Sequence, residues 1–278
     1  MKKHAMANEY KILCSEANSM VKMKNGAVTS NGWTKVDGEH DHRSNFKGVL
    51  YEKGGQYALC FVGTDRFSAK DWGANAKMAL TGESRQIKLA QKFADKMQKE
   101  YGLNSKNTES IGHSEGGTEA TAVGIQYGLQ TTTFNAFGVG KKYAEPGKNY
   151  DNLITNYRDP HDPVSKLKEN VGTTYITPNL QNELMSTTPF GSVKAHRIDN
   201  MGDCTQSLPV DYYKKSHPFF INKISDADIS RQDIANMESG LFKVYEKEID
   251  KRMTNNKIGN SSEDKWVTIN GNHVLIKD

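Results

Sequence analysis

Residues 46–64, FKGVLYEKGGQYALCFVGT, carry apolar side chains on either side of Gly54-Gly55. This pattern predicts two strands joined by a tight turn, the second an apolar run from Tyr57 to Val62 that ends in Gly63-Thr64. Across 84–101, SRQIKLAQKFADKMQKEY, Leu89, Phe93, Met97 and Tyr101 recur at four-residue intervals with Ile87 and Ala90 close by. That spacing predicts an amphipathic helix, with Ser84 as its N-cap. Next the pattern predicts a short strand into Gly112, a helix from about Glu115 to Tyr127, a strand over TTTFNAFG (131–138) and another over NLITNY (152–157). The last strand runs into the acidic turn RDPHDPVS. Strands alternating with helices predict an α/β fold, a mostly parallel central sheet flanked by helices. In such sheets the chemistry gathers where strands end.

The pattern changes after Tyr213. Residues 224–256 are polar and heavily charged, with Ile234, Met237, Leu241 and Val244 at helical spacing. The terminal KWVTINGNHVLIKD predicts a hairpin turning at Asn270-Gly271. The chain therefore divides into a main domain, 1–222, and an appendage, 223–278, a helical tail with a β-hairpin read as a docking element for a protein partner, with a lid helix and an extra sheet edge as the alternative.

Composition narrows the function classes. The formal charge is +4, from 37 basic and 33 acidic residues spread along the chain. That is a mild bias toward anionic surfaces and not the footprint of a nucleic-acid binder. Cys14, Cys60 and Cys204 are too few and scattered for a disulfide framework or a zinc knuckle, and Cys60, inside an apolar run, reads as core. Charged and polar residues interrupt MKKHAMANEYKILCSEANSM before an apolar signal segment develops, and no stretch has the length of a membrane span. A soluble chain without a Sec signal is expected, cytoplasmic or exported by a route that needs none.

One candidate for chemistry stands out in TESIGHSEGGTEA (108–120), where Gly112-His113-Ser114-Glu115-Gly116-Gly117 places a serine between glycines. A nucleophilic serine needs a sharp, exposed strand-to-helix turn, and small residues two positions before and after it let strand and helix pack closely. Against this, the entering strand is unusually polar. Two further segments bear on it: Phe61-Val62-Gly63-Thr64 followed by Asp71-Trp72 and Asn75, and Thr133-Phe134-Asn135-Ala136-Phe137-Gly138. With the serine turn, these three ordered motifs resemble the class 3 lipase family, α/β-hydrolases of triacylglycerol lipase and phospholipase A1 type, over roughly residues 46–200. The resemblance implies that Ser114 is the nucleophile, that backbone N–H groups of Thr64 and Glu115 form the oxyanion hole, and that about 65–82 form a lid. Val62 departs from the family's arginine and Glu115 from its leucine. A carboxylate at 115 is unfavourable beside a developing negative charge unless it points away.

A serine nucleophile needs a histidine and a carboxylate, which in α/β-hydrolases follow in the order Ser, acid, His. Asp159 and Asp162 both lie in the turn after residue 157. Asp162-Pro163-Val164-Ser165 resembles the family's acid turn, so Asp162 is preferred and Asp159 is the alternative; aspartates also cap such proline-rich turns routinely. Of the later histidines, His196 in VKAHRIDNM resembles the family's base, His217 in KKSHPFF is the alternative, and His273 on the terminal hairpin reads as structural. His161 lies too close to the aspartates to act as base. His40 and His42 form a His-x-His without further ligands at diagnostic spacing, so no metal and no cofactor is expected.

The resemblance implies a serine hydrolase of carboxylic esters, a lipase or phospholipase A releasing fatty acids from lipid or phospholipid at a membrane surface. Phe67, Trp72, Met78 and Leu80 in the lid suit such contact, and equally suit a core. The likeness extends weakly to bacterial and phage-associated lipase-like toxins or effectors. A non-catalytic binding module and an acyltransferase using the same triad remain the competing readings.

Overall fold

The computed structural model describes residues 2–63, 72–139, 142–162, 165, 170–179 and 191–210, together with 265–269 and 272–276. Its centre is an eight-stranded sheet whose spatial order follows the chain: β1 (Thr34–Asp41), β2 (Phe46–Lys53), β3 (Gln56–Phe61), β4 (Thr108–His113), β5 (Gln130–Phe134), β6 (Ile154–Arg158), β7 (Thr173–Ile176) and β8 (Leu208–Pro209). The four successive pairings from β3 to β7 are parallel. The pairings β1–β2, β2–β3 and β7–β8 are antiparallel.

Alternation along the strands sorts side chains between two cores. Val49, Tyr51, Ala58, Cys60, Ile111, Phe134 and Tyr157 face helix α1 (Lys2–Met20). Leu50, Leu59 and Phe61 face helices α2 (Trp72–Tyr101) and α3 (Glu115–Tyr127), where Phe93 packs edge-on against Phe46 and Phe61 with ring centroids 6.1 and 6.4 Å away. Each fully buried valine, leucine, isoleucine or phenylalanine among them contributes roughly 1.5–3 kcal/mol. Cys14, Cys60 and Cys204 are buried and free.

Several boundaries depart from the sequence reading. The expected cap Ser84 lies inside a 30-residue helix that already begins at Trp72, so the stretch assigned to a lid is helical from that point. Ala74, Ala76, Met78, Ala79 and Leu80 favour helix enough to carry it past Gly73 and Gly82, each of which costs about 1 kcal/mol relative to alanine. The strand expected over 131–138 stops at Phe134, because Asn135 takes a left-handed conformation at φ +46°. The strand expected at 152–157 starts two residues late, since Leu153 and Ile154 both donate backbone N–H to Tyr150 in a turn.

Helix α1 was not anticipated. Read as a failed signal segment, it nonetheless carries Ala7, Tyr10, Leu13, Cys14 and Ala17 at helical spacing, all buried. The terminal hairpin forms as expected, β9 (Lys265–Ile269) pairing antiparallel with β10 (Asn272–Ile276). Its turn Asn270-Gly271, the helical tail 224–256, His217, Thr64 and residues 65–71 of the expected lid lie outside the described residues.

Candidate active site

Strand β4 is central, and its polarity is satisfied internally. Ser110 Oγ donates to the Ala120 carbonyl at 3.0 Å, and Thr132 Oγ1 donates to the Glu109 carboxylate. Burial raises the Glu109 pKa above the usual carboxylate value. A polar strand can therefore occupy this position, which the sequence pattern alone argued against.

At the end of β4 the chain turns into α3 through Ser114, at φ +57° and ψ −126°. A non-glycine residue rarely adopts such a conformation unless its surroundings impose it. Here the surrounding glycines do so by close approach. A Cβ at Gly112 would stand 2.2 Å from the Gly116 carbonyl oxygen, and one at Gly117 would stand 2.5 Å from Ala136 Cβ. Gly63, at the exit of β3, lies against the same turn: a Cβ there would meet His113 O at 2.8 Å and Glu115 N at 3.5 Å. The chain leading to Thr64 thus runs beside the backbone N–H of Glu115 at the positive end of α3. Thr64 itself lies outside the described residues.

Ser114, His196 and Asp162 converge. His196 ends the short helix α4 (Gly191–His196). Its Nε2 lies 2.8 Å from Ser114 Oγ and its Nδ1 lies 3.0 Å from Asp162 Oδ1. Because a carboxylate only accepts, Nδ1 carries the proton and Nε2 is free to accept from the serine hydroxyl. All three side chains are buried. Asp162 is held in turn by the Ser165 N–H, which donates to its Oδ2 at 3.1 Å.

The other aspartate of the turn has a different task. Asp159 Oδ1 accepts from the His161 N–H at 2.8 Å, and the Asp159 carbonyl accepts from Asp162 N. It shapes the turn that presents Asp162. His161 takes part in the turn through its backbone, His273 pairs with Thr268 in the terminal hairpin, and His40 and His42 bring their rings to 3.9 Å. Among the described residues no group of three or more histidine, cysteine, aspartate or glutamate side chains is placed to hold a metal ion.

Glu115 is buried, one helical turn from Glu119, which is buried as well. Burial first, and the Glu115 charge second, push the Glu119 carboxyl well above the usual range. Two residues beside the site were not singled out from sequence, although both lie inside motifs that were: His113, directly before the serine, and Asn135, directly after β5. His113 Nε2 donates to the His196 carbonyl at 2.7 Å, and Asn135 Nδ2 donates to the Ala195 and His196 carbonyls at 2.9 and 3.3 Å.

Comparison with known proteins gives the fold and the family. A curated relative, an extracellular phospholipase A1 of Serratia liquefaciens, is 28% identical over 144 residues, an alignment covering 47% of this chain and 42% of the relative, so the match spans under half of that protein. Among solved structures, a deletion-mutant form of the Rhizomucor miehei lipase propeptide complex superposes with a TM-score of 0.50 at 14% identity, covering 73% of this chain and 80% of that one. A lipase from Rhizopus microsporus var. chinensis gives 0.46 at 14% identity, with 62% and 74% covered. At these identities the structural likeness is one of fold. Within the described residues no helix is long and apolar enough to cross a membrane. The model of the Tle-like phospholipase domain matches residues 16–207, most of the chain, and the protein belongs to that phospholipase-like family.

Proposed function

We propose that the protein hydrolyses carboxylic esters of membrane lipids, releasing a fatty acid through Ser114, His196 and Asp162. One observation carries this reading: the unbroken line from Asp162 Oδ1 through the His196 ring to Ser114 Oγ, at 3.0 and 2.8 Å, on a serine held at φ +57°. Ser114 Oγ attacks the acyl carbonyl while His196 Nε2 takes its proton, and Asp162 stabilises the imidazolium. The oxyanion meets the Glu115 N–H, with Thr64 as the second donor that the family resemblance implies. Collapse breaks the ester C–O bond, and His196 returns the proton to the leaving alcohol. Water then enters, loses a proton to His196, attacks the acyl carbon and frees the fatty acid and Ser114.

The test is fatty-acid release from mixed phospholipid vesicles by the full chain and by Ser114→Ala, alongside labelling by a serine-directed phosphonate. Release and labelling by the wild type, both lost in the variant, support the proposal. Labelling without release, but with ester formed on an added alcohol, would make it an acyltransferase. Neither release nor labelling by a folded wild type would leave a binding module.

A further inference from the structure

The carbonyl of His196 needs a donor from outside its own helix. Helix α4 has only six residues and ends at this histidine. The last carbonyls of a helix have no partner within it, and so short a helix has little stability of its own. Yet the imidazole it presents must hold its 2.8 Å distance from Ser114 Oγ closely. Two side chains supply what the helix lacks. His113 Nε2 donates to the His196 carbonyl at 2.7 Å, and Asn135 Nδ2 spans the Ala195 and His196 carbonyls. Asn135 also accepts, through Oδ1, the Asp159 N–H at 2.8 Å, which ties the same junction to the turn bearing Asp162.

We infer that His113 is a positioning residue for the proposed reaction: by gripping the backbone of His196 from the place beside Ser114, it sets the base against the nucleophile. The inference rests on the triad reading above. Because His113 and Ser114 are consecutive, a single imidazole fixes the distance between the nucleophile's main chain and the base's main chain. The conformation of Ser114 and the position of His196 are then set by one turn rather than by two loops separately.

The chemistry of the side chain suits the task. The carbonyl requires an N–H, and the site requires that the donor bring no charge, because its ring centroid lies 5.0 Å from that of His196, which becomes cationic in the reaction. A lysine or arginine here would oppose that protonation. His113 is half-buried, and desolvation with the neighbouring His196 ring holds its pKa down to about 3, so it remains a neutral donor.

The experiment compares full-length wild type, His113→Gln, which keeps a side-chain N–H at similar reach, and His113→Leu, which keeps bulk and loses the donor. Hydrolysis of vesicles and of a soluble short-chain ester gives kcat and KM. The far-downfield proton resonance of the His196 Nδ1–H in NMR spectra reports imidazole placement without any turnover. In His113→Leu kcat falls about ten- to a hundredfold with KM nearly unchanged, and the downfield resonance is broadened or lost. In His113→Gln both recover most of the way. A folded His113→Leu with wild-type kcat and resonance would overturn the inference, as would a glutamine variant no better than leucine. If His113→Leu does not fold, imidazole nitrogen shifts of the wild type decide: a neutral, slowly exchanging Nε2–H on His113 supports the grip, and the Nδ1–H tautomer overturns it. A wild type that shows the resonance yet hydrolyses nothing would count against the proposed reaction, while the comparison of resonances among the variants would still judge the role of His113.

Discussion

A methyl group added at Gly116 would fall 2.2 Å from the carbonyl oxygen of Phe61, because the first turn of α3 presses directly on the end of β3. Neither side of that contact is a flexible side chain. Gly116→Ala therefore has to displace a central strand or the helix that carries Ser114, and overpacking of well-packed regions costs about 1–3 kcal/mol or more. We expect a drop in melting temperature and loss of hydrolysis together. A variant with normal melting and normal activity would show that the helix and strand are not in this contact.

The two aspartates of the turn separate by substitution. Asp162→Asn keeps the shape but leaves the His196 Nδ1–H facing an amide, and kcat should fall by roughly 10⁴ in a triad of this type. Asp159→Ala removes an acceptor that organises the turn, so its main effect should be on stability, about 1–3 kcal/mol. Kinetics and urea unfolding on both variants check this. Strong kcat loss in a stable Asp159→Ala, with Asp162→Asn active, would exchange the two roles.

Acid should weaken the fold through His113. Its pKa lies near 3 in the folded chain against an ordinary value of 6.5, with burial the main cause. Between these values the unfolded chain holds the extra proton, so this contribution is fully present above about pH 6.5 and is lost as pH falls toward 3. Its slope is at most about 1.4 kcal/mol per pH unit. Urea unfolding from pH 7 to 4 should therefore show a steeper decline for wild type than for His113→Gln. Equal slopes would mean that His113 titrates normally in the folded protein.

Glu119 works in the opposite direction. Its raised pKa means that the folded chain keeps a proton which the unfolded chain releases above about pH 4.5. That difference costs stability as pH rises, until the folded carboxyl itself ionises. Glu119→Gln should raise the urea midpoint at pH 8 and leave it nearly unchanged at pH 4. No gain at pH 8 would indicate that the Glu119 carboxylate is charged and compensated.

What could be read from the sequence was what neighbouring residues decide among themselves. The turn at Gly54-Gly55, the periodicity of Leu89, Phe93 and Met97, and the small residues around Ser114 all act within a few positions, so strand, helix and elbow were legible along with the α/β class. The family resemblance added an order for acid and base and a preference for Asp162 and His196. The tertiary structure decided what depends on convergence over long separations: that Asp162 turns toward His196 while Asp159 turns toward His161, and that α1 covers one face of the sheet. It also decided that polar β4 is central, since Glu109 and Ser110 find partners on β5 and α3. Whether a polar residue can be buried depends on which donor or acceptor the fold brings opposite it. That partner lies across strands and helices, beyond the reach of any local pattern.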